Sequence, residues 1–146
     1  MKTLENPVID QRLQELLDAR LHDPFEVLGP HRISDGWLLR VFRPHAEQVA
    51  VALDEGWISL ERIDPNGIFE WRGAVEPPAA YRLKIREHGA DQETHDPYAF
   101  PPALNDLDLH LFNEGRLHQA YRMLGAQPSV RAGVMGTAFA VWAPNA

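Results

Sequence analysis

The chain has 146 residues, of which 45% are apolar and 24% charged, a balance typical of soluble globular proteins. Its formal net charge of -7 argues against a nucleic-acid partner, because binding a polyanion requires clustered Lys and Arg. The absence of cysteine excludes disulfides, thiolate metal sites and cysteine nucleophiles. The N-terminus lacks the features of a signal peptide, and no apolar run approaches the roughly 20 residues that span a bilayer. We therefore expect a cytoplasmic protein without a membrane partner.

The first predicted element is a helix within residues 1–23. Asn6 can cap it, and Pro7 fits the first helical position, where its missing N–H is not needed. Asp23-Pro24 ends the run. Five apolar residues at helical spacing form a stripe that should pack on another element: Ile9, Leu13, Leu16, Leu17 and Leu21.

Residues 24–103 are predicted to form a β-sandwich. Five short runs rich in β-branched and aromatic residues are separated by turn sequences; the runs are 37–42, 48–53, 57–63, 68–71 and 81–86. Apolar residues alternate with polar ones in several of them, as do Tyr81, Leu83 and Ile85 with the residues between. This period of two predicts antiparallel strands with an apolar inner face and a solvent-exposed outer face.

The C-terminal part contains an internal repeat. Residues 104–132 resemble a connector with short helices, and the sequence 136–146 then repeats Gly, Val, an aromatic residue, Pro and Ala in register with 36–46. Leu-Gly precedes each copy, at 28–29 and at 124–125. A strand follows the first copy, whereas the second reaches Ala146, and one strand cannot bury its apolar face. We interpret residues 133–146 as the first strand of a truncated second sandwich; the alternative is that this strand completes the first.

The sequence predicts no catalytic, cofactor-binding or metal site. The seven histidines lack the spacing of metal ligands, and no glycine-rich phosphate loop follows a strand. No Gly-x-Ser-x-Gly nucleophile elbow is present. Pairs of carboxylates can be chosen freely among 21 acidic residues, so they indicate no glycosidase chemistry.

Aromatic residues on the sandwich provide the candidates for sugar contact, because a flat indole can cover the apolar face of a pyranose ring. Trp57 borders a turn and is the first candidate for an exposed position. Trp71 is the second candidate, although it alternates with Phe69 and favours the core. Trp37 shares a face with Leu39 and is predicted to lie in the core.

Four motifs in order resemble bacterial glycogen branching enzymes, the 1,4-α-glucan branching enzymes of the α-amylase superfamily. They are LHDPFEVLGPH at 21–31, HDPYAF at 95–100, LNDLDLHLFNEGRLHQAYRMLGA at 104–126 and GVMGTAFAVWAPNA at 133–146. Together they cover nearly the whole chain. Gln127 departs from the family pattern, which more usually has His at this position.

This resemblance implies an immunoglobulin-like N-terminal sandwich, a related carbohydrate-binding-type sandwich, a (β/α)8 catalytic barrel and a C-terminal β domain. The catalytic carboxylates lie in the barrel, so the chain alone is expected to be inactive. The whole enzyme would cleave α-1,4-glucan segments and transfer them to form the α-1,6 branches of glycogen. Expected partners are glycogen or linear maltooligosaccharides and the remaining domains of the same chain, in a monomer without a cofactor.

The role of the N-terminal sandwich is expected to be support of the barrel and an influence on the transferred chain length, with glucan contact as one possible route. Two alternatives remain open. The chain could be a protein-docking domain that uses the stripe of its first helix. It could also be the front end of a related trehalohydrolase or debranching enzyme.

Overall fold

The computed structural model describes residues 7–102 and 104–143, with side chains from residue 11 onward. The chain forms two compact units, residues 1–99 and 100–146. The predicted mainly β fold is confirmed, since strands dominate both units. The predicted cap, Asn6, lies outside the described residues.

The first unit is an antiparallel β-sandwich preceded by a helix, as predicted. Its elements are α1 (Pro7–Leu17), β1 (Gly29–Ile33), β2 (Gly36–Phe42), β3 (Gln48–Leu53), β4 (Gly56–Ser59), β5 (Glu61–Asp64), β6 (Ile68–Gly73), β7 (Arg82–Glu87) and β8 (Ala90–His95). One sheet, here sheet I, has the order β1-β2-β6-β5, and the other, sheet II, has the order β4-β3-β7-β8. All neighbouring strands are antiparallel.

The core lies between the inner faces of the two sheets. Leu39 and Val41 of β2 and Phe69 of β6 come from sheet I, while Val51 and Leu83 come from sheet II. These side chains alternate along their strands with residues of the opposite face, as the period of two predicts. The predicted run 57–63 is divided between sheets, because the chain crosses from β4 to β5 at a buried leucine, Leu60.

The outer faces of the two sheets differ. That of sheet II is exposed to solvent, but Leu38, Arg40, Ile68 and Glu70 on the outer face of sheet I are buried. The prediction of a solvent-exposed outer face is therefore wrong for sheet I. Arg40 and Glu70 are paired in register across β2 and β6, and the Arg40 Nε donates to the Glu70 Oε2 at 2.8 Å. Burying a single charge would destabilise the fold, and in this ion pair each charge compensates the other.

Helix α1 ends at Leu17, earlier than the leucine spacing suggests. Ala19 adopts a left-handed conformation with φ of 55°, which stops the helix, and its N–H donates to the Leu16 carbonyl at 3.0 Å. The described leucines of the stripe are half-buried, at positions 13, 16, 17 and 21. An ion pair between Arg12 and Glu26 connects the helix to the following segment.

The second unit contains helix α2 (Asp106–Asn113), a 3-10 turn (Ala120–Arg122) and a hairpin of β9 (Gly125–Arg131) and β10 (Val134–Ala140). Strand β10 lies within the strand predicted from the repeat. Its partner β9 was not predicted, since the sequence suggested only short helices in 104–132. Pro144 to Ala146 lie outside the described residues.

The internal repeat extends much further than Leu-Gly and the hairpin strand. Arg-Leu-His occurs at 20–22 and at 116–118, in each case after a helix and a residue of positive φ, Ala19 and Gly115. The N–H groups of Leu21 and Leu117 then donate to helix carbonyls at the same distance, 3.1 Å. A 3-10 turn, a Leu-Gly pair and a hairpin follow in both units, and the 3-10 turn of the first unit is Pro24–Glu26. The second unit therefore begins with the same helix, turn and hairpin as the first.

Candidate functional site

The outer face of sheet II forms a shallow groove along its second strand. Alternation along β3 directs Ala50 and Ala52 outward, and the small side chain of Ala50 lines the groove. Trp57 and Ser59 of β4 are in register with Ala52 and Ala50 and form one side. Lys84 of β7 is in register with Ala50 on the other side. Gln48, Arg86 and Asp91 complete the lining.

Trp57 is the exposed aromatic residue of this groove. Its relative exposure is 38%. The Lys84 Nζ lies 5.3 Å from the centre of its ring, and the Arg82 guanidinium carbon lies 5.7 Å away. Both distances are within the range of cation–π attraction, which holds the indole in position at the surface.

The charges of the neighbouring strands compensate one another. Arg86 donates to Asp91 through Nε at 2.7 Å and Nη2 at 3.2 Å, and Arg82 pairs with Glu93 at 3.2 Å. Hydrogen bonds from Arg86 lower the pKa of Asp91, and the same bonds raise the pKa of Arg86. The groove consequently presents polar groups and an aromatic ring without a strong excess of either charge.

The second predicted candidate, Trp71, occupies a different position. It lies on β6 of sheet I, is half-buried and packs against the core. Its indole also covers Gly73, where an added Cβ would approach the ring to 2.2 Å. The structure thus does not bring Trp57 and Trp71 together, and Trp71 as a contact residue stays a prediction.

Trp37 is less buried than its sequence neighbours suggest. It is half-buried at the start of β2, with the guanidinium carbon of Arg32 5.6 Å from its ring centre. Leu39 and Val41, which share its face, belong to the core cluster. The position at the end of the strand explains this difference, because the opposite sheet covers the middle of β2 more fully.

Tyr81 and Asp96 form a buried polar pair at the end of the sandwich that was not predicted from the sequence. The Tyr81 hydroxyl donates to Asp96 Oδ2 at 2.5 Å, and Asp96 Oδ1 accepts the N–H of Tyr98 at 3.1 Å. Burial raises the pKa of Asp96 and also that of Tyr81. These bonds satisfy a carboxyl group that lies almost entirely out of solvent, so their role is structural.

The sequence did contain a signal for this pair, since His-Asp-Pro followed by an aromatic residue occurs twice. In the first copy Asp23 accepts the N–H of Phe25 at 3.0 Å, as Asp96 accepts that of Tyr98 in the second. The two aromatic rings contact each other edge to face, with centres 5.1 Å apart. The repeated tetrapeptide thus forms one end of the first unit.

No group of three or more His, Asp or Glu side chains in the described ranges 7–102 and 104–143 could hold a metal ion. No helix in them is long and apolar enough to cross a membrane.

The fold defines a β-sandwich module with a surface groove, and comparison with known proteins identifies its family. The chain belongs to the family of the N-terminal domain of the alpha-1,4-glucan branching enzyme GlgB, whose family model matches residues 10–98. The predicted resemblance to bacterial branching enzymes is thereby confirmed.

Curated relatives extend this similarity to the rest of the chain. A 1,4-alpha-glucan branching enzyme GlgB of Nitrosospira multiformis is 48% identical over 99% of this chain and 20% of its own length. The proteins of that name from Nitrosomonas eutropha and, as GlgB 1, from Streptomyces coelicolor are 50% and 47% identical over 90% and 91% of the chain. The chain spans about a fifth of the length of these relatives.

Solved structures also include a partial match. The catalytic module of the multi-modular glycogen-degrading pneumococcal virulence factor SpuA matches 70% of this chain and 18% of its own chain. The sequence identity is 19% and the TM-score 0.41.

Proposed function

We propose that this chain is the N-terminal, non-catalytic part of a 1,4-α-glucan branching enzyme. The family match over residues 10–98 carries this proposal, and relatives that share the name over nearly the whole chain support it. Such an enzyme cleaves an α-1,4-glucan, holds the segment as a covalent glycosyl-enzyme and rejoins it through an α-1,6 bond. The carboxylates for these steps belong to a barrel domain, and the sandwich supports that barrel.

The proposed partners follow from this assignment. The substrate of the whole enzyme is an α-glucan, either glycogen or a linear maltooligosaccharide, and the sandwich also contacts the remaining domains of its own chain. We assign the enzyme to the cytoplasm as a monomer. The relatives favour a branching enzyme over a trehalohydrolase or a debranching enzyme, since the three described above carry the name of branching enzymes.

The domain boundaries form part of the proposal. Residues 1–23 with 24–103 constitute the first module, 104–132 the connector and 133–146 the first strand of a second, carbohydrate-binding-type sandwich. Leu39 and Val41 of the first repeat are 0% and 2% exposed, whereas Phe139 and Val141 in the second are 73% and 82% exposed. Strands of the full-length protein that cover Phe139 and Val141 would give the second repeat the burial seen in the first.

Removal of the first module from the full-length enzyme tests this function. Enzyme with and without residues 1–103 is incubated with amylose, and the products are debranched and separated by chain length. We expect both proteins to form α-1,6 branches, with a changed distribution of transferred lengths after the deletion. Identical distributions would exclude an influence of the module, and a full-length protein without branching activity would contradict the family's activity here.

A further inference from the structure

The dimensions of the sheet II groove limit what can lie in it. Its sides come from β4 and β7, which flank β3 and are therefore about 9.5 Å apart, twice the spacing of neighbouring strands. The side chains of Trp57 and Lys84 narrow this width further. An α-helix with its side chains is about 10–12 Å wide, so a partner helix packed here would be wider than the strip between β4 and β7. A single extended polymer is narrow enough to lie along this strip.

The charges argue for a neutral ligand. Arg82 and Arg86 are already paired with Glu93 and Asp91, so a polyanion would have to displace carboxylates from both. Within the described part of the chain Lys84 forms no ion pair, and its ammonium group rests against the Trp57 ring. Its N–H groups therefore remain able to donate to uncharged hydroxyls of a ligand beside that ring.

A strand of another protein is also a poor fit. Strand β4 is at the edge of sheet II, but it has only four residues, and short edge strands offer little backbone for pairing. The groove itself lies on the face of the sheet, where the backbone groups of β3 are already paired with β4 and β7. Recognition there has to use side chains.

We propose that this groove binds a single α-glucan chain, with Trp57 as the stacking platform and Lys84 and Gln48 as donors to sugar hydroxyls. The identity of the sugar as an α-glucan rests on the proposed function. The apolar face of a glucose ring covers the exposed part of the indole that Lys84 and Arg82 leave free, and the short side chain of Ala50 leaves room beside the ring. An open groove desolvates little area, so binding is weak and the dissociation constant lies in the millimolar range.

Amide and indole chemical shifts of the ¹⁵N-labelled 146-residue chain test the proposal. Maltoheptaose is titrated to millimolar concentration, and cellohexaose, a β-linked glucan, serves as the ligand control. Maltoheptaose should shift the Trp57 indole signal and amides of β3, β4 and β7, with smaller shifts for cellohexaose.

Two groove variants and one matched control locate the site. Trp57→Ala removes the platform and Ala50→Gln fills the groove while keeping the tryptophan; each should weaken maltoheptaose binding at least tenfold. Tyr121→Ala is the control, because Tyr121 is also exposed, at 68%, and also has an arginine beside its ring, 5.9 Å away, but lies in the second unit. The affinity of the Tyr121→Ala variant for maltoheptaose should equal that of the unchanged chain. Retained dispersion of the amide spectrum shows that each variant is folded.

Three results would overturn the proposal: shifts confined to another surface, no shifts at millimolar maltoheptaose, or groove shifts with a polyanion such as heparin and not with maltoheptaose. These outcomes are separable from failure of the proposed function. If the full-length protein branches amylose but no sugar binds in the groove, only the proposed binding site is contradicted. If maltoheptaose binds in the groove but the full-length protein has no branching activity, the proposed site is supported and the assignment as a branching enzyme is contradicted.

Discussion

At the scale of single residues, the hydrogen bond of Gln127 indicates which side-chain property its position requires. The first repeat has His31 at the equivalent position. The His31 Nε2 lies 3.1 Å from the Leu28 carbonyl oxygen, and the Gln127 Nε2 donates to the Leu124 carbonyl at the same distance. Both side chains therefore place a nitrogen donor against the carbonyl before the Leu-Gly glycine, and an amide can replace an imidazole in this role.

This equivalence predicts the effect of exchanging the two residue types. His31→Gln should change the free energy of unfolding by less than about 0.5 kcal/mol, whereas His31→Ala should cost about 1 kcal/mol because the hydrogen bond is lost. Urea unfolding of the 146-residue chain measures both. If His31→Gln costs as much as His31→Ala, the donor is not the property that the position requires.

Asp96 makes the stability of the sandwich depend on pH. Burial raises its pKa above the ordinary value of 3.8, so the folded state holds this proton more tightly than the unfolded state. The resulting stabilisation is fully present below the ordinary value and is lost as the pH rises through the raised folded value. The asparagine of the variant Asp96→Asn cannot titrate. The free energy of unfolding of the wild type, relative to that of this variant, should therefore fall as the pH rises through that window. Urea unfolding at a series of pH values measures the difference, and a constant difference would contradict the prediction.

At the scale of elements, the two repeats carry charged residues at equivalent positions. In the first, Arg12 of α1 pairs with Glu26 of the 3-10 turn. The equivalent positions of the second are Asp108 and Arg122, with the charges exchanged, and both line one cavity of about 300 Å³. The Arg-Leu-His turns also match, with Arg20 paired to Asp18 and Arg116 to Glu114. A shared turn with its ion pair, and charges exchanged at one further pair of positions, are what duplication of one helix–turn–hairpin unit would leave.

The β9–β10 hairpin is predicted to open easily in this 146-residue chain. It is a two-stranded sheet, and such hairpins are marginally stable without a packed face. Amides of β10 should therefore exchange much faster than those of β2, the equivalent strand of the first repeat, whose Leu39 and Val41 lie in the core. Hydrogen exchange followed by NMR compares the two strands directly. Protection of β10 equal to that of β2 would mean that another surface already covers the hairpin, and the proposed second sandwich would lose its support.

At the scale of the whole molecule, one unit has a complete core and the other consists of a helix, a turn and a hairpin. The buried residues of the chain belong to the first unit, at positions such as Leu39, Phe69 and Leu83 in the part that the structure describes. Large apolar side chains of the second unit are exposed, among them Met135 and Phe139. The relatives are about five times as long as this chain, which provides ample sequence for the domains that the proposed function requires.

Local patterns in the sequence determined most of the sandwich. Four of the five predicted runs correspond to strands β2, β3, β6 and β7, because their alternating residues face a core on one side. Strand β8 was not predicted, since its sequence ADQETH has no apolar alternation and it forms at the edge by pairing with β7. Strand β9 has weak strand character and forms by pairing with β10. Whether such a strand forms depends on the neighbouring strand with which it pairs and not on its own sequence alone.

The family could be identified from the sequence alone, because its motifs are contiguous segments that need no folding to be recognised. The candidate site could be identified only in part. A position beside a turn suggested that Trp57 is exposed, but nothing local indicated that Ala52 and Lys84 lie across from it on two other strands. The tertiary structure decided this arrangement, and also the burial of Arg40 with Glu70, because both depend on strand register between residues far apart in the chain.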